Sequence, residues 1–154
     1  MKTIILLFLI TSITACTMQN KSNTQINNTK EKKSIENIEK IELKEQTRGT
    51  NRIFTIKNGK LENSTNGNVT SQELPENEWM KISKLAEKID TENISRLIAP
   101  STHRYSDAAL ASTLIIHKNG NEYQSSDFDS GNPPAELKDL YTEIQRIIET
   151  KKSR

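Results

Sequence analysis

The chain has 154 residues, of which 27% are charged and 5% aromatic, so it can form one domain with a modest core. Its formal net charge is only +2, without the clustered basic face that nucleic acid binding requires. Cys16 is the only cysteine, which excludes an intramolecular disulfide.

The first sixteen residues have the parts of a secretory signal in their usual order. Lys2 precedes an apolar run from Ile4 to Ile10, which is far shorter than the ~20 residues that span a bilayer. The run leads to Ile13-Thr14-Ala15-Cys16, which resembles a bacterial lipobox. The resemblance implies cleavage before Cys16, lipidation of its thiol and acylation of the new amine. We therefore predict a signal peptide over residues 1–15 and a stable anchor of several acyl chains.

The segment that follows Cys16 is rich in Asn, Thr, Lys, Ser and Gln and shows no apolar periodicity. Such a segment cannot bury enough apolar surface to offset the entropy of ordering. We therefore predict that residues 16–37 are the lipidated cysteine and a disordered tether. About 20 flexible residues have a root-mean-square reach of roughly 25 Å, which would stand a domain off the membrane.

The next part of the chain predicts an antiparallel meander. Residues 38–45 place apolar side chains on one face with Lys and Glu between them, which is typical of an edge strand. A turn at residues 48–51 leads into a second strand at residues 52–57. The pairs Asn58-Gly59 and Asn66-Gly67 then favour tight hairpin turns, because both residues tolerate positive φ. Two further strands are predicted at residues 60–63 and around Val69.

Two segments have the apolar spacing of amphipathic helices, roughly residues 75–90 and 134–150. Pro75 suits the start of the first helix, and Trp79 is expected to be a core anchor rather than a ligand platform. A brief helical turn is expected between the two helices, around residues 94–98. The basic tail, residues 151–154, is expected to fray.

A third Asn-Gly pair, Asn119-Gly120, lies within the longest extended region, residues 108–128. A two-residue turn there places Ile116 opposite Tyr123 and His117 opposite Glu122. One face of this hairpin would join the core through four side chains: Leu110, Leu114, Ile116 and Tyr123.

These elements predict an α+β fold for a single domain over residues 38–150. The sheet is expected to be antiparallel, with four to six strands built from hairpins. Both amphipathic helices are expected to pack on one of its faces.

The motifs of metal sites are absent or broken. Asp127 and Asp129 precede Gly131 in a spacing that partly resembles a calcium loop. The twelfth position of that loop is Lys138, where a glutamate is required. We therefore predict no metal and no cofactor, and expect Asp129 to bond backbone amides in a local turn.

Catalytic motifs are equally scarce. No Gly-x-Ser-x-Gly elbow, phosphate loop or dinucleotide fingerprint occurs. His103 and Asp107 could be recruited with a serine, but any chain rich in serine permits that combination. We therefore predict no catalytic residues and no enzyme activity.

The remaining candidates lie on three polar loops, at residues 48–50, 102–107 and 127–134. Loops on a rigid scaffold are where binding residues are most often found. The candidate binding patch consists of Arg48, His103, Arg104, Tyr105, Asp107, Asp127 and Asp129. The alternative is that these residues serve turn chemistry and local ion pairs.

The order of lipobox, polar tether, small sheet and Phe128-Asp129-Ser130-Gly131-Asn132-Pro133-Pro134 before a helix resembles small uncharacterised lipoproteins of Bacteroidetes-type bacteria. The resemblance implies a location in the cell envelope and supplies no catalytic residues. We expect the outer membrane, because Thr17 follows Cys16 in place of the Asp that signals inner-membrane retention in enterobacteria.

These features predict a non-enzymatic envelope lipoprotein. An inhibitor of an envelope enzyme falls within this class. The protein would be a monomer that binds an envelope protein or another envelope component, and no nucleic acid. The alternative is a small lipid-anchored hydrolase.

Overall fold

A computed structural model describes residues 37–152 of the chain. The predicted signal peptide, the lipidated Cys16, all but the last residue of the tether and the final two residues of the tail lie outside that range. Those predictions stay predictions.

No helix between residues 37 and 152 is both long and apolar enough to cross a bilayer.

Seven strands form one antiparallel sheet. They are β1 (Ile38–Thr47), β2 (Thr50–Lys57), β3 (Lys60–Thr65), β4 (Asn68–Glu73), β5 (Ala111–Lys118), β6 (Asn121–Gln124) and β7 (Phe128–Asp129). The spatial order is β4-β3-β2-β1-β5-β6, and the short β7 pairs with the start of β5. The predicted α+β class, with a sheet built from hairpins, is confirmed.

The prediction that β1 is an edge strand is wrong, because β1 lies at the centre of the sheet. It pairs with β2 on one side and with β5 on the other. Its alternating charged residues, such as Glu42 and Lys44, lie on the sheet face that carries no helix. Charges between apolar positions therefore indicate the face opposite the α-helices, and such a pattern occurs at the centre of an antiparallel sheet as well as at its edge.

The Asn-Gly turns set the register that the sequence predicts. Asn119 and Gly120 both have positive φ, at 53° and 76°, which is the geometry of a type I′ turn. Ile116 lies opposite Tyr123 and His117 opposite Glu122, as predicted. At the Asn58-Gly59 turn only the glycine has positive φ.

Replacing Gly120 by valine should lower the free energy of unfolding by at least about 1 kcal/mol, because a β-branched residue is strained at positive φ. A Cβ at Gly120 or at Gly67 meets no atom within 4 Å, so both costs are conformational. Gly67→Val should cost less, because the hairpin that it closes carries strand β4, whose residues are all exposed and pack against no core. Urea unfolding of both variants beside wild type measures the difference, and a larger loss for Gly67→Val would contradict it.

Two α-helices cover the sheet. Helix α1 spans Glu76–Ala86, so it ends before the predicted limit near residue 90. The amides of Lys88 and Ile89 instead bond to the carbonyls three residues earlier, those of Leu85 and Ala86, which is the bonding pattern of a 3-10 turn. Helix α2 spans Lys138–Lys152, two residues into the predicted frayed tail. Short 3-10 helices occupy Ile94–Arg96, His103–Ser106 and Ala135–Leu137.

A single hydrophobic core lies between one sheet face and both helices. The sheet contributes side chains such as Leu43, Phe54 and Ile116, and the helices contribute Ile82 and Ile144. The prediction that two helices pack on one face is therefore confirmed.

The residues that the sequence predicts in this core are buried to different extents. Leu114 and Ile116 are fully buried, and Tyr123 and Trp79 are half-buried against the core. Leu110 precedes β5, is half-buried and is not part of the core cluster, so its predicted role is wrong.

Candidate functional site

Most of the predicted loop residues gather at one end of the sheet. We call it the loop end: the turn after β1 (residues 48–49) with residues 101–107 and 129–133. The opposite end, the tether end, holds Asn37, whose amide donates to Oδ1 of Asn119 at 3.0 Å, and the turns at residues 58–59 and 119–120. β1 runs from one end to the other over ten residues. At ~3.4 Å per residue, the two ends lie about 30 Å apart.

Asp129 is the centre of the loop end. The residue is only 2% exposed. Its Oδ2 accepts hydrogen bonds from the Ser101 hydroxyl at 2.6 Å and the His103 amide at 2.7 Å. Its Oδ1 accepts bonds from Arg104, from the amide at 2.9 Å and from Nη1 at 3.1 Å. One carboxylate therefore fixes residues 101–104 to strand β7, and the expected local turn through its side chain is wrong.

These donors determine the ionisation of Asp129. Burial alone would raise its pKa. The hydrogen bonds from Ser101 and from the amides of Arg104 and His103 outweigh burial, and they hold the pKa far below the usual aspartate range. The side chain is therefore a permanent anion at neutral pH.

Arg104 is held inside the same network. Its side chain is 7% exposed, and Nη1 also donates to the Ser101 carbonyl at 2.6 Å. Nη2 donates to the Tyr105 hydroxyl at 3.0 Å, and the guanidinium lies 4.3 Å from the centre of the Tyr105 ring. Burial alone would lower the pKa of Arg104, but the bond to Asp129 and the interaction with Tyr105 raise it. Arg104 is therefore a structural cation, and its partner Tyr105 remains 78% exposed.

Arg48 and Asp107 form a second, exposed contact at the loop end. The Arg48 Nε lies 3.2 Å from Oδ2 of Asp107, and the Arg48 side chain is 91% exposed. The Thr47 hydroxyl donates to the other Asp107 oxygen at 3.4 Å. An ion pair this exposed contributes little to stability, so Arg48 is free to reorient toward another molecule.

Asp127 does not join the other predicted patch residues. Its Oδ1 accepts a hydrogen bond from the Thr113 hydroxyl at 2.6 Å. Thr113 lies on the helix-free face of β5, next to Leu114 on the core face. Asp127 therefore bonds to β5, whereas Asp129 bonds to residues 101–104.

A buried polar cluster that the sequence analysis did not find lies beneath the loop end. Glu45 is only 3% exposed and accepts bonds from Nη2 of Arg52 at 2.7 Å and from the Ser130 hydroxyl at 2.8 Å. The Tyr141 hydroxyl accepts a bond from Nε2 of Gln145 at 2.9 Å. The position of Glu45 could have been found, because it continues the period-two alternation of Ile41 and Leu43.

Two shallow clefts open beside this cluster. The first, about 290 Å³, is lined by Glu45, Arg52, Phe54 and Lys152 among others. The second, about 500 Å³, includes Pro100, Pro133 and Lys138. The two clefts share the lining residues Gly131, Tyr141 and Gln145, so they lie next to each other along α2.

Within residues 37–152, no three His, Cys, Asp or Glu side chains are close enough together to hold a metal ion. His117 Nε2 lies 3.8 Å from a carboxylate oxygen of Glu42 and the same distance from one of Glu122, too far for a hydrogen bond.

Comparison with protein-family models, curated proteins and solved structures finds no match to the chain.

Proposed function

We propose that the protein is a lipid-anchored cell-envelope protein that binds another envelope component through the loop end of its sheet, without catalysing a reaction. One observation carries the proposal: the chain enters the sheet from its tether at Asn37, at the end opposite to the loops. A domain anchored through Cys16 would thus present the loop end away from its point of attachment. We propose the outer membrane as its location, and the sequence around Cys16 and Thr17 is the support for it.

The loop end also has the properties of a preorganised binding surface. Asp129 and Arg104 fix the backbone of residues 101–104 from inside, so little entropy is lost when a partner binds. The exposed side chains of His103 and Tyr105 lie on or next to this rigid support, and the exposed Arg48 contacts Asp107 beside it. Arg and Tyr are among the residues that contribute most to binding energy at protein interfaces.

The hydrolase alternative has one supporting contact, the hydrogen bond from Ser130 to Glu45. A carboxylate base must be able to take the proton of the nucleophile. The other oxygen of Glu45 is already paired with Nη2 of Arg52 at 2.7 Å, so this carboxylate is part of a structural ion pair. A binding role therefore fits this group better than hydrolysis.

Cys16→Ser should remove the protein from the membrane. The variant lacks the thiol that is lipidated, so it should remain unprocessed or be released from the detergent phase in Triton X-114 partitioning. Mass spectrometry of the N-terminal peptide should find acyl chains on wild type alone. A variant that still partitions with detergent and has the mass of wild type would show that the anchor lies elsewhere.

A photo-crosslinking phenylalanine analogue at Tyr105 should form a covalent adduct with an envelope partner in living cells. The matched control is the same analogue at Asn58, which is also exposed but lies in a turn at the tether end. Pull-down of the tagged full chain and mass spectrometry identify the adduct. Equal crosslinking from both positions, or crosslinking from Asn58 alone, would contradict binding through the loop end.

A further inference from the structure

Three tight hairpin turns of the sheet are each formed by an Asn-Gly pair, at residues 58–59, 66–67 and 119–120. An Asn-Gly pair is open to deamidation, because glycine has no Cβ to hinder attack by its own backbone nitrogen on the asparagine side chain. The three pairs have the same two residues, so a large difference in their reactivity must come from the fold around them.

Deamidation sets two conditions on a folded turn. The glycine nitrogen gives up its proton to a base in solvent and attacks Cγ of the asparagine, whose Nδ2 takes up a proton and leaves as ammonia. Water then opens the resulting cyclic imide at either of its carbonyls, which leaves aspartate or isoaspartate. The reaction therefore needs a glycine N–H that is open to solvent and an asparagine side chain that can rotate toward it.

Both reacting groups are held at the turn of residues 119–120. Oδ1 of Asn119 accepts a hydrogen bond from the Asn37 amide at 3.0 Å. The Gly120 amide donates to Oε1 of Glu39 at 2.7 Å. This carboxylate also disfavours loss of the Gly120 proton, because a second negative charge would form beside the first. The fold therefore opposes both steps of the attack on Asn119.

The side chain of Asn66 is held as well. Its Oδ1 accepts a hydrogen bond from the Asn51 amide at 2.8 Å, and its Nδ2 donates to the Gly49 carbonyl at 3.5 Å. The Asn66 amide in turn donates to the Asn51 carbonyl at 2.8 Å. The side chain must therefore leave its partners on the neighbouring turn before the Gly67 nitrogen can attack it.

The pair at residues 58–59 has no such restraint. Asn58 and Gly59 are both exposed. Among residues 37–152, neither the Asn58 side chain nor the Gly59 amide has a hydrogen-bond partner. Their turn borders an open cleft of about 450 Å³, so water and base can reach both groups. Of the three turns, this one alone meets both conditions.

We propose that Asn58 is the site at which this chain deamidates spontaneously. The hydrogen bonds at Asn66 and Asn119 protect the other two turns. Neither the lipid anchor nor the loop end enters into this reactivity, which depends only on the geometry of the three turns.

Deamidation of Asn58 changes both the charge and the backbone of its turn. The product places a carboxylate between Lys57 and Lys60, and isoaspartate also adds a methylene to the main chain. The Gly59 carbonyl accepts a hydrogen bond from the Leu74 amide at 3.1 Å, so the altered turn touches the segment that leads into α1. The tether end therefore gains negative charge as the molecule ages.

Incubation of the purified full-length chain at mildly alkaline pH tests the proposal. Pepsin digestion in acid, which slows deamidation during the digest, and mass spectrometry give the rate at each pair. Asn58 should react at least about tenfold faster than Asn66 and Asn119, because the protected pairs react only when their hydrogen bonds open. A rate at Asn66 or Asn119 equal to that at Asn58, or no reaction at Asn58, would overturn the proposal.

The same incubation in urea is the control for sequence. The three pairs should then react at similar rates, because the fold no longer holds any of them. If Asn58 is the fastest by the same factor in urea, its reactivity comes from its sequence neighbours, and protection of the other turns by the fold is wrong.

Glu39→Ala tests the protection directly. Glu39 is exposed, and the variant removes the acceptor of the Gly120 N–H. Deamidation at Asn119 should rise by roughly two- to tenfold, the effect of losing one hydrogen bond, while the rate at Asn58 stays the same. Glu39→Gln is the matched variant, which keeps an acceptor and should raise the rate less. An unchanged rate at Asn119 in Glu39→Ala would show that this contact does not protect the turn.

Discussion

Replacing Phe128 by alanine should lower the free energy of unfolding by about 3–5 kcal/mol. Phe128 is fully buried between sheet and helix. Its ring meets that of Tyr141 edge-to-face, with 5.5 Å between the ring centres and an angle of 81°. The alanine variant loses the buried apolar area and this aromatic contact, and it leaves a cavity. A domain of this size has a total stability of only about 5–15 kcal/mol, so this one change would consume much of it.

Urea unfolding followed by circular dichroism measures this loss. Phe128→Leu should cost less, because leucine refills part of the volume. Tyr105→Ala is the surface control, since Tyr105 is an aromatic residue exposed to solvent. A smaller loss for Phe128→Ala than for Tyr105→Ala would mean that the core has been misplaced.

Asp129→Asn should lower the melting temperature at pH 7 by at least about 5 °C. Asparagine keeps the shape of the side chain, but its amide group faces donors that need an acceptor, and Arg104 loses its buried counter-charge. Because β7 and residues 101–104 are joined through this carboxylate, the loop end should loosen first. Increased hydrogen exchange at His103 and Arg104 would report that loosening.

The effect of Asp129→Asn should depend on pH. The folded pKa of Asp129 is lowered, so its carboxylate stabilises the fold fully above the unfolded value of about 3.9. Below that value the unfolded chain binds a proton that the folded chain does not, and the stabilisation falls as the pH falls. The difference in melting temperature between wild type and variant should therefore shrink between pH 5 and pH 3. An unchanged difference in melting temperature over that range would show that the charge of Asp129 does not stabilise the fold.

The parts of the fold that depend on neighbours in sequence could be predicted from the sequence. Asn119 and Gly120 determine a turn by their own φ preferences, so the pairing of Ile116 with Tyr123 follows without knowledge of the rest. The central place of β1 could not be predicted in the same way. It depends on pairing between Ile41 and Ile116, which lie far apart in the chain.

The candidate site shows the same division between local and distant contacts. The polar loop residues were identifiable by type, and His103, Arg104, Tyr105 and Asp129 do come together. That Asp129 is a buried hub could not be foreseen, because its donors come from another loop. The inward position of Glu45 follows from the alternation of Ile41 and Leu43, but its partners Arg52 and Ser130 come from other parts of the chain.

The central position of β1 determines how a pull on the tether would be transmitted. Tension applied at Asn37 acts lengthwise on a strand that is hydrogen-bonded on both sides, to β2 and to β5. Antiparallel hydrogen bonds run perpendicular to the strands, so such tension loads both ladders in shear and their bonds share the force. Tension on an edge strand such as β4 could instead open its bonds one after another, like a zipper. If the chain is anchored as proposed, this attachment would give the domain mechanical resistance, and force would reach the loop end through a strand that is paired on both sides.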